Sequence, residues 1–177
     1  MTRTLVLGGA RSGKSRYAEG LLPANAPVLY VATARRHTDD AEWAARIEAH
    51  RARRPPTWTT VEGSAAGNLA ALVRASSYPL LVDDLATWIT GVLDDAGAWD
   101  ADKIPAAVLS QVAELVAAVA ASRARVVLVS AEVGLGVVPA TRAGRLFRDE
   151  LGELNSALAT VCDEVLLLVA GLPLRLK

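Results

Sequence analysis

Residues 8 to 15 read Gly8-Gly9-Ala10-Arg11-Ser12-Gly13-Lys14-Ser15, and this octet constrains the fold more than any other stretch of the chain. It fits the spacing G-x-x-x-x-G-K-S/T, with Gly8, Gly13, Lys14 and Ser15 at the fixed positions. The apolar run Thr4-Leu5-Val6-Leu7 comes directly before it, and a helix-permissive run from Ser15 to Leu22 directly after it. A strand, a glycine-rich turn and a helix in that order form a phosphate-binding loop (P-loop). Its glycines let backbone N–H groups turn inward around phosphate oxygens, and the helix N-terminus adds partial positive charge. In such a loop Lys14 reaches the β- and γ-phosphates and the Ser15 hydroxyl holds Mg²⁺. The alternative is a glycine-rich turn with no ligand.

The chain of 177 residues is long enough for one domain with a full core, and a single domain over 1–177 is expected. Apolar residues make up 52% and charged residues 21%, the balance of a globular chain. Nineteen basic and 19 acidic side chains cancel, which argues against a broad nucleic-acid or polybasic membrane surface. The single Cys162 can form no internal disulfide, which suits a reducing, cytoplasmic compartment; its apolar neighbours place it in the core. Met1-Thr2-Arg3 leads straight into an apolar run, so no signal peptide is expected, and no apolar run is long enough for a membrane span.

Four further apolar runs read as buried strands: Val28 to Ala32, Leu80 to Val82, Arg125 to Ser130 and Glu164 to Val169. They are continuous rather than alternating, as in a parallel sheet covered on both faces. Helical segments are expected at 15–22, 40–54, 65–76, 85–95, 105–122 and 142–161. Pro105 suits the start of the fifth, which carries Val108, Val112, Leu115, Val116 and Val119 at helical spacing. Leu172 to Leu176 reads as an edge strand. The alternation implies an α/β P-loop nucleotide-binding fold, with a mostly parallel central sheet flanked by helices.

The apolar run at Leu80 ends in Asp83-Asp84. An acid at the end of a buried strand supports Mg²⁺ in such folds, and Asp83 is favoured because it ends the run. The competing role is a helix N-cap, which Asp84 fits at least as well. The patch Asp94, Asp95, Asp100, Asp102 reads as a solvated loop.

Residues 46 to 54 form a third element. On a helix, Arg46, His50, Arg53 and Arg54 would share one cationic face, with Pro55 stopping the helix. A solvated surface is the plain reading of such a face. Beside a phosphate loop, guanidinium groups would disfavour the imidazolium, keep His50 neutral and nucleophilic, and stabilise a leaving pyrophosphate. A neutral imidazole attacking an α-phosphorus gives a covalent nucleotidyl-histidine. His37, in a polar stretch with Arg35, Arg36 and Thr38, reads as a loop residue.

Several stretches together resemble one family, from Leu7 to Ser15, Tyr30-Val31-Ala32-Thr33-Ala34, and Asp40 to Ile47 through His50-Arg51 and Arg54-Pro55. The match continues in Trp58-x-Thr60-x-Glu62, Val127 to Pro139, Phe147-Arg148-Asp149 with Gly152 and Asn155, and Val169 to Leu174. The chain thus resembles the bifunctional adenosylcobinamide kinase / adenosylcobinamide-phosphate guanylyltransferases of cobalamin synthesis. The resemblance implies that a nucleoside triphosphate, ATP or GTP, phosphorylates adenosylcobinamide. GMP then passes from GTP to a histidine at the place of His50, and on to adenosylcobinamide phosphate. It implies nucleotide contacts at Gly8 to Ser15, at Thr33, Ala34 and Arg35, at Arg51, Ala52, Arg53 and Arg54, at Glu62, and at an acid, Asp83 or Asp84. It also implies a homotrimer. Departures from the family pattern are Ala49 where some relatives have a second histidine, Ala131 where Asn is usual, and Asp84 where Cys is frequent. The alternatives are a monofunctional P-loop small-molecule kinase and a nucleotide-dependent switch or ATPase module.

Overall fold

The computed structural model describes residues 2–35, 54–62 and 68–177. Their elements run, in chain order, β1 (Arg3–Gly8), α1 (Lys14–Gly20), β2 (Val28–Ala32), β3 (Trp58–Glu62), α2 (Leu69–Ala75), β4 (Leu80–Asp83), α3 (Leu85–Asp95), α4 (Ala106–Ala121), β5 (Val126–Ala131), α5 (Arg142–Val161), β6 (Glu164–Val169) and β7 (Leu172–Arg175). The expected helix at 40–54 falls almost wholly outside the described residues; Arg54, its last member, is described and is not helical.

Seven strands form one sheet in the order β3-β2-β4-β5-β1-β6-β7. Every neighbouring pair is parallel except β6 and β7, which are antiparallel. The α/β reading is therefore correct, and the segment at Leu172 is the edge strand expected. The strand Trp58–Glu62 was not anticipated. It is an edge strand with only Trp58 buried, and its Thr59, Thr60 and Glu62 hide the signal that a continuous apolar run gives.

Successive side chains of a strand point to opposite faces, and the inner strands use both. Leu5, Leu7, Leu80, Val82, Val126 and Leu128 pack in one cluster with α2 to α5. Val6, Leu81, Val127 and Val129 enter a second with Ala18 and Leu22 from the α1 side. Parallel strands covered on both faces need apolar residues at every position, which is why these runs are continuous. Cys162 is buried, as its neighbours predicted, and burial pushes its thiol up to about 11. On α4, Val108, Leu115 and Val119 are buried and Val112 and Val116 partly so, which matches the helical spacing read from the sequence.

Parallel strands place all their C-terminal ends on one edge of the sheet. Gly8, Ala32, Asp83 and Ala131 end β1, β2, β4 and β5 there. Ligands of open α/β sheets bind along that edge.

Candidate functional site

The phosphate loop is built by β1 and α1. Gly13 has φ 88° and Arg11 φ 55°, the two left-handed positions that turn the chain back toward the helix. Gly8 is required for a different reason. A Cβ there would run into the Ser12 hydroxyl and lie 2.9 Å from the carbonyl of Leu168. The loop is anchored from neighbouring strands. The N–H of Glu132 donates to the Gly8 carbonyl at 3.1 Å, and the N–H of Gly171 to the Ser12 carbonyl at 3.0 Å. Lys14 Nζ lies 3.4 Å from the Gly9 carbonyl, folded over its own loop.

Ser15 sits in the first turn of α1, and its hydroxyl donates to Asp83 Oδ1 at 3.0 Å. The other carboxylate oxygen, Oδ2, accepts from the Tyr30 hydroxyl at 2.6 Å. Tyr30 is buried, and burial, reinforced by the charge of Asp83, holds its phenol far above the ordinary range, so it remains a donor. Over the Tyr30 ring lies the Arg54 guanidinium, 3.8 Å from the centroid. Arg54 Nη1 also donates to Thr60 Oγ1 at 3.2 Å and is 3.6 Å from Glu62 Oε1.

The two adjacent acids have different tasks. Asp84 is the N-cap of α3, its carboxylate accepting from the N–H of Thr87 at 2.9 Å. Burial holds the Asp84 carboxyl above the usual range, offset in part by that N–H. Its carbonyl takes the Thr33 hydroxyl at 2.6 Å, and the Asp83–Asp84 peptide is cis. The capping role read as the alternative for Asp84 is thus the one its side chain performs, and Asp83 is the acid that faces the phosphate loop.

The hydroxyl of Ser15 and a carboxylate oxygen of Asp83 are hard oxygen donors at the mouth of the loop. They fit Mg²⁺, which is held by one or two such groups with the rest supplied by phosphates and water. No cluster of three or more His, Cys, Asp or Glu residues able to hold a metal occurs among the described residues, so an all-protein cage is not offered there.

Of the expected nucleotide residues, the structure brings Gly8 to Ser15, Thr33 and Asp83 to one edge, with Arg54 and Glu62 joined to them through Tyr30. Arg35 is otherwise engaged. Its guanidinium pairs with Asp95 at 2.5 Å and donates to the Gly91 carbonyl at 3.2 Å, on the flank of α3. It rims a cleft of about 290 Å³ that also touches Thr33, Thr87, Trp88 and Gln111. Asp94 and Asp95, read as loop residues, end α3 instead, and Asp94 accepts from the Trp99 indole. At the Ala131 departure, the backbone carbonyl accepts from Asn155 Nδ2 at 3.1 Å. His37, His50, Arg51, Ala52 and Arg53 lie outside the described residues.

Tyr30 and Thr87 are site residues that sequence reasoning missed. A signal for Tyr30 existed: a lone phenol inside an aliphatic buried strand must find a partner for its hydroxyl.

No helix among the described residues is long and apolar enough to cross a membrane. Two solved structures of type III secretion system ATPases share the fold, with TM-scores of 0.59 and 0.51 at 13% identity. The alignments cover 95% and 96% of this chain but only 51% and 43% of those chains, about half their length. The sequence comparisons are more specific. The Escherichia coli (strain K12) bifunctional adenosylcobalamin biosynthesis protein CobU is 42% identical, with 98% of both chains aligned. Its namesake from Salmonella typhimurium is 40% identical, again over 98% of both chains. The Pseudomonas aeruginosa protein CobP is 44% identical over 99% of this chain and 97% of its own. Residues 4–176 match the family described as cobinamide kinase / cobinamide phosphate guanyltransferase, and the chain is an enzyme of that family.

Proposed function

We propose that the chain uses one nucleotide site for two reactions. In the first, the γ-phosphoryl group of ATP or GTP passes to the aminopropanol hydroxyl of adenosylcobinamide. In the second, a ring nitrogen of His50 attacks the α-phosphorus of GTP. The α–β anhydride bond breaks and pyrophosphate leaves with the electron pair. A phosphate oxygen of adenosylcobinamide phosphate then attacks the same phosphorus, the P–N bond breaks, and His50 is recovered with adenosylcobinamide-GDP as product.

The observation that carries this reading is the meeting of Ser15 and Asp83 at the mouth of the phosphate loop. Mg²⁺ bound there would neutralise charge on the phosphates. Lys14 would bind the β- and γ-phosphates, and the loop N–H groups would orient them. Arg54 adds support for the second step. It closes the cationic run that contains His50, and it stacks on the tyrosine that holds Asp83. His50 is four residues from Arg54, and four residues span at most about 14 Å of chain. Glu62, a homotrimeric assembly and a cytoplasmic location belong to the same reading, as does one domain over 1–177.

Intact-protein mass after mixing with Mg²⁺ and GTP tests the covalent step, with ATP in parallel. A gain of one GMP, acid-labile as a phosphoramidate and absent in His50→Ala, is expected. Label retained by His50→Ala would move the role to His37. No gain, with nucleotide still consumed when cobinamide is added, would leave a kinase alone.

A further inference from the structure

Asp83 is held from two sides, and only one of them belongs to the phosphate loop. Its Oδ1 takes the Ser15 hydroxyl, while its Oδ2 takes the Tyr30 hydroxyl at 2.6 Å. A carboxylate on a short side chain can rotate about its last bond, and in a site open to solvent it does so freely. Here the rotation is blocked. Tyr30 is 1% exposed, in the middle of β2, and its strand is paired on both sides by β3 and β4. Its ring is packed against Trp58, with centroids 6.2 Å apart, and the Arg54 guanidinium covers it. Arg54 is itself fixed by Thr60 and Glu62 on β3. The phenol therefore has no freedom to follow the carboxylate; the carboxylate must follow the phenol.

We propose that Tyr30 is a positioning residue for the metal–nucleotide complex, which fixes the Asp83 carboxylate so that Oδ1 faces Ser15 and the phosphate loop. Arg54, Thr60 and Glu62 hold the ring in place, so the outer edge of the sheet sets the orientation of an acid two strands away. The inference rests on the reading of Ser15 and Asp83 as the metal-supporting pair of a nucleotide site. Partners that orient metal ligands in this way are commonly worth 10- to 100-fold in metal affinity.

The test is a binding titration rather than turnover. Ribose-labelled fluorescent GTP is titrated onto the protein across a series of Mg²⁺ concentrations and in EDTA. In Tyr30→Phe the Mg²⁺ concentration for half-maximal binding should rise about tenfold or more, while affinity in EDTA is unchanged. Adding Tyr30→Phe to Asp83→Asn should then cost nothing further, because the residue it acts through is gone. An unchanged Mg²⁺ dependence, an equal loss with and without Mg²⁺, or an additive loss in the double variant would each overturn the proposal. Should Tyr30→Phe not fold, the unmodified protein supplies a second reading. With ¹³Cζ-labelled tyrosine, one of only three tyrosine signals should shift when Mg²⁺ and GTP are added together and not with GTP in EDTA; no such shift overturns it. Absence of any Mg²⁺-dependent binding by the unmodified protein would instead remove the nucleotide reading beneath it.

Discussion

Ser15 and Asp83 meet across the phosphate loop: the hydroxyl of one donates to a carboxylate oxygen of the other at 3.0 Å, although 68 positions separate them in the chain. The contact ties the first turn of α1 to the end of β4 and places two oxygen donors where a triphosphate would arrive. Hydrogen bonds to charged groups are worth about 1.5–3 kcal/mol. Ser15→Ala should therefore lower stability by up to about that amount and, by removing one of the two oxygen donors, weaken Mg²⁺-dependent GTP binding roughly ten- to hundred-fold. Calorimetric titration with and without Mg²⁺ checks it.

The neighbouring acids should separate cleanly. Asp83→Asn should weaken Mg²⁺-dependent nucleotide binding about ten- to hundred-fold without abolishing it. Asp84→Asn should keep it, because Asn caps a helix as well as Asp and the buried charge is relieved. Asp84→Ala should cost about 1 kcal/mol through loss of the cap, a fall in Tm of about 2–4 °C for a chain of this size. Melting curves and GTP titrations on the three variants decide the matter. Nucleotide binding lost equally in both Asn variants would show that the division of labour is wrong.

Gly8→Ala should damage the loop from beneath. The new methyl would press on the Leu168 carbonyl, a backbone atom in the adjoining strand that cannot swing away. Overpacking of this kind costs about 1–3 kcal/mol. Tm should fall, and phosphate affinity with it, since Ser12 is the other atom in the way. An Ala variant with native Tm and native GTP affinity would contradict the packing described.

At the opposite edge of the sheet, Arg3 grips Asp163 through its backbone N–H, Nε and Nη2. These bonds hold the Asp163 carboxyl well below the usual carboxylate range. A depressed folded pKa means stabilisation that is present above the unfolded value, about 3.9, and lost as pH falls through the folded value. Asp163→Asn should melt below the unmodified protein at pH 7, and the two curves should converge as pH falls below about 4. A gap in Tm that persists unchanged at pH 2 would assign the effect to something other than charge.

The parts of this fold that could be read directly are those whose environment is uniform. β4, β5 and β6 are covered on both faces, so their interiors, Leu80 to Val82, Val126 to Val129 and Val165 to Val169, are continuously apolar and the run declares itself. Helix α5, expected at 142–161, runs from Arg142 to Val161. β3 escaped because an edge strand needs only one buried residue, here Trp58, and its threonines read equally well as loop. The sequence favoured Asp83 over Asp84 for the metal role without settling it, since both the cap and the metal role accept an acid at either place. The stacking of Arg54 on Tyr30 depends on how β2 and β3 pair, which no local pattern encodes. Arg35, a nucleotide contact only by resemblance, forms an ion pair with Asp95, 60 positions away, and no local pattern announces that pairing.

Strand β1 carries the phosphate loop, yet its two partners in the sheet are β5 and β6. Strand β1 is thus flanked by strands far along the chain, with Arg3 opposite Val126 and Thr4 opposite Glu164. Gly171, beyond β6, closes the circle by donating to Ser12. Pairings so distant in the chain are slow to form. A ribosome-bound chain that ends before residue 164 can hold β1 on one side at most. The phosphate loop is therefore complete only when strands far apart in the sequence have paired. A nucleotide that binds only the completed site would stabilise that long-range joining.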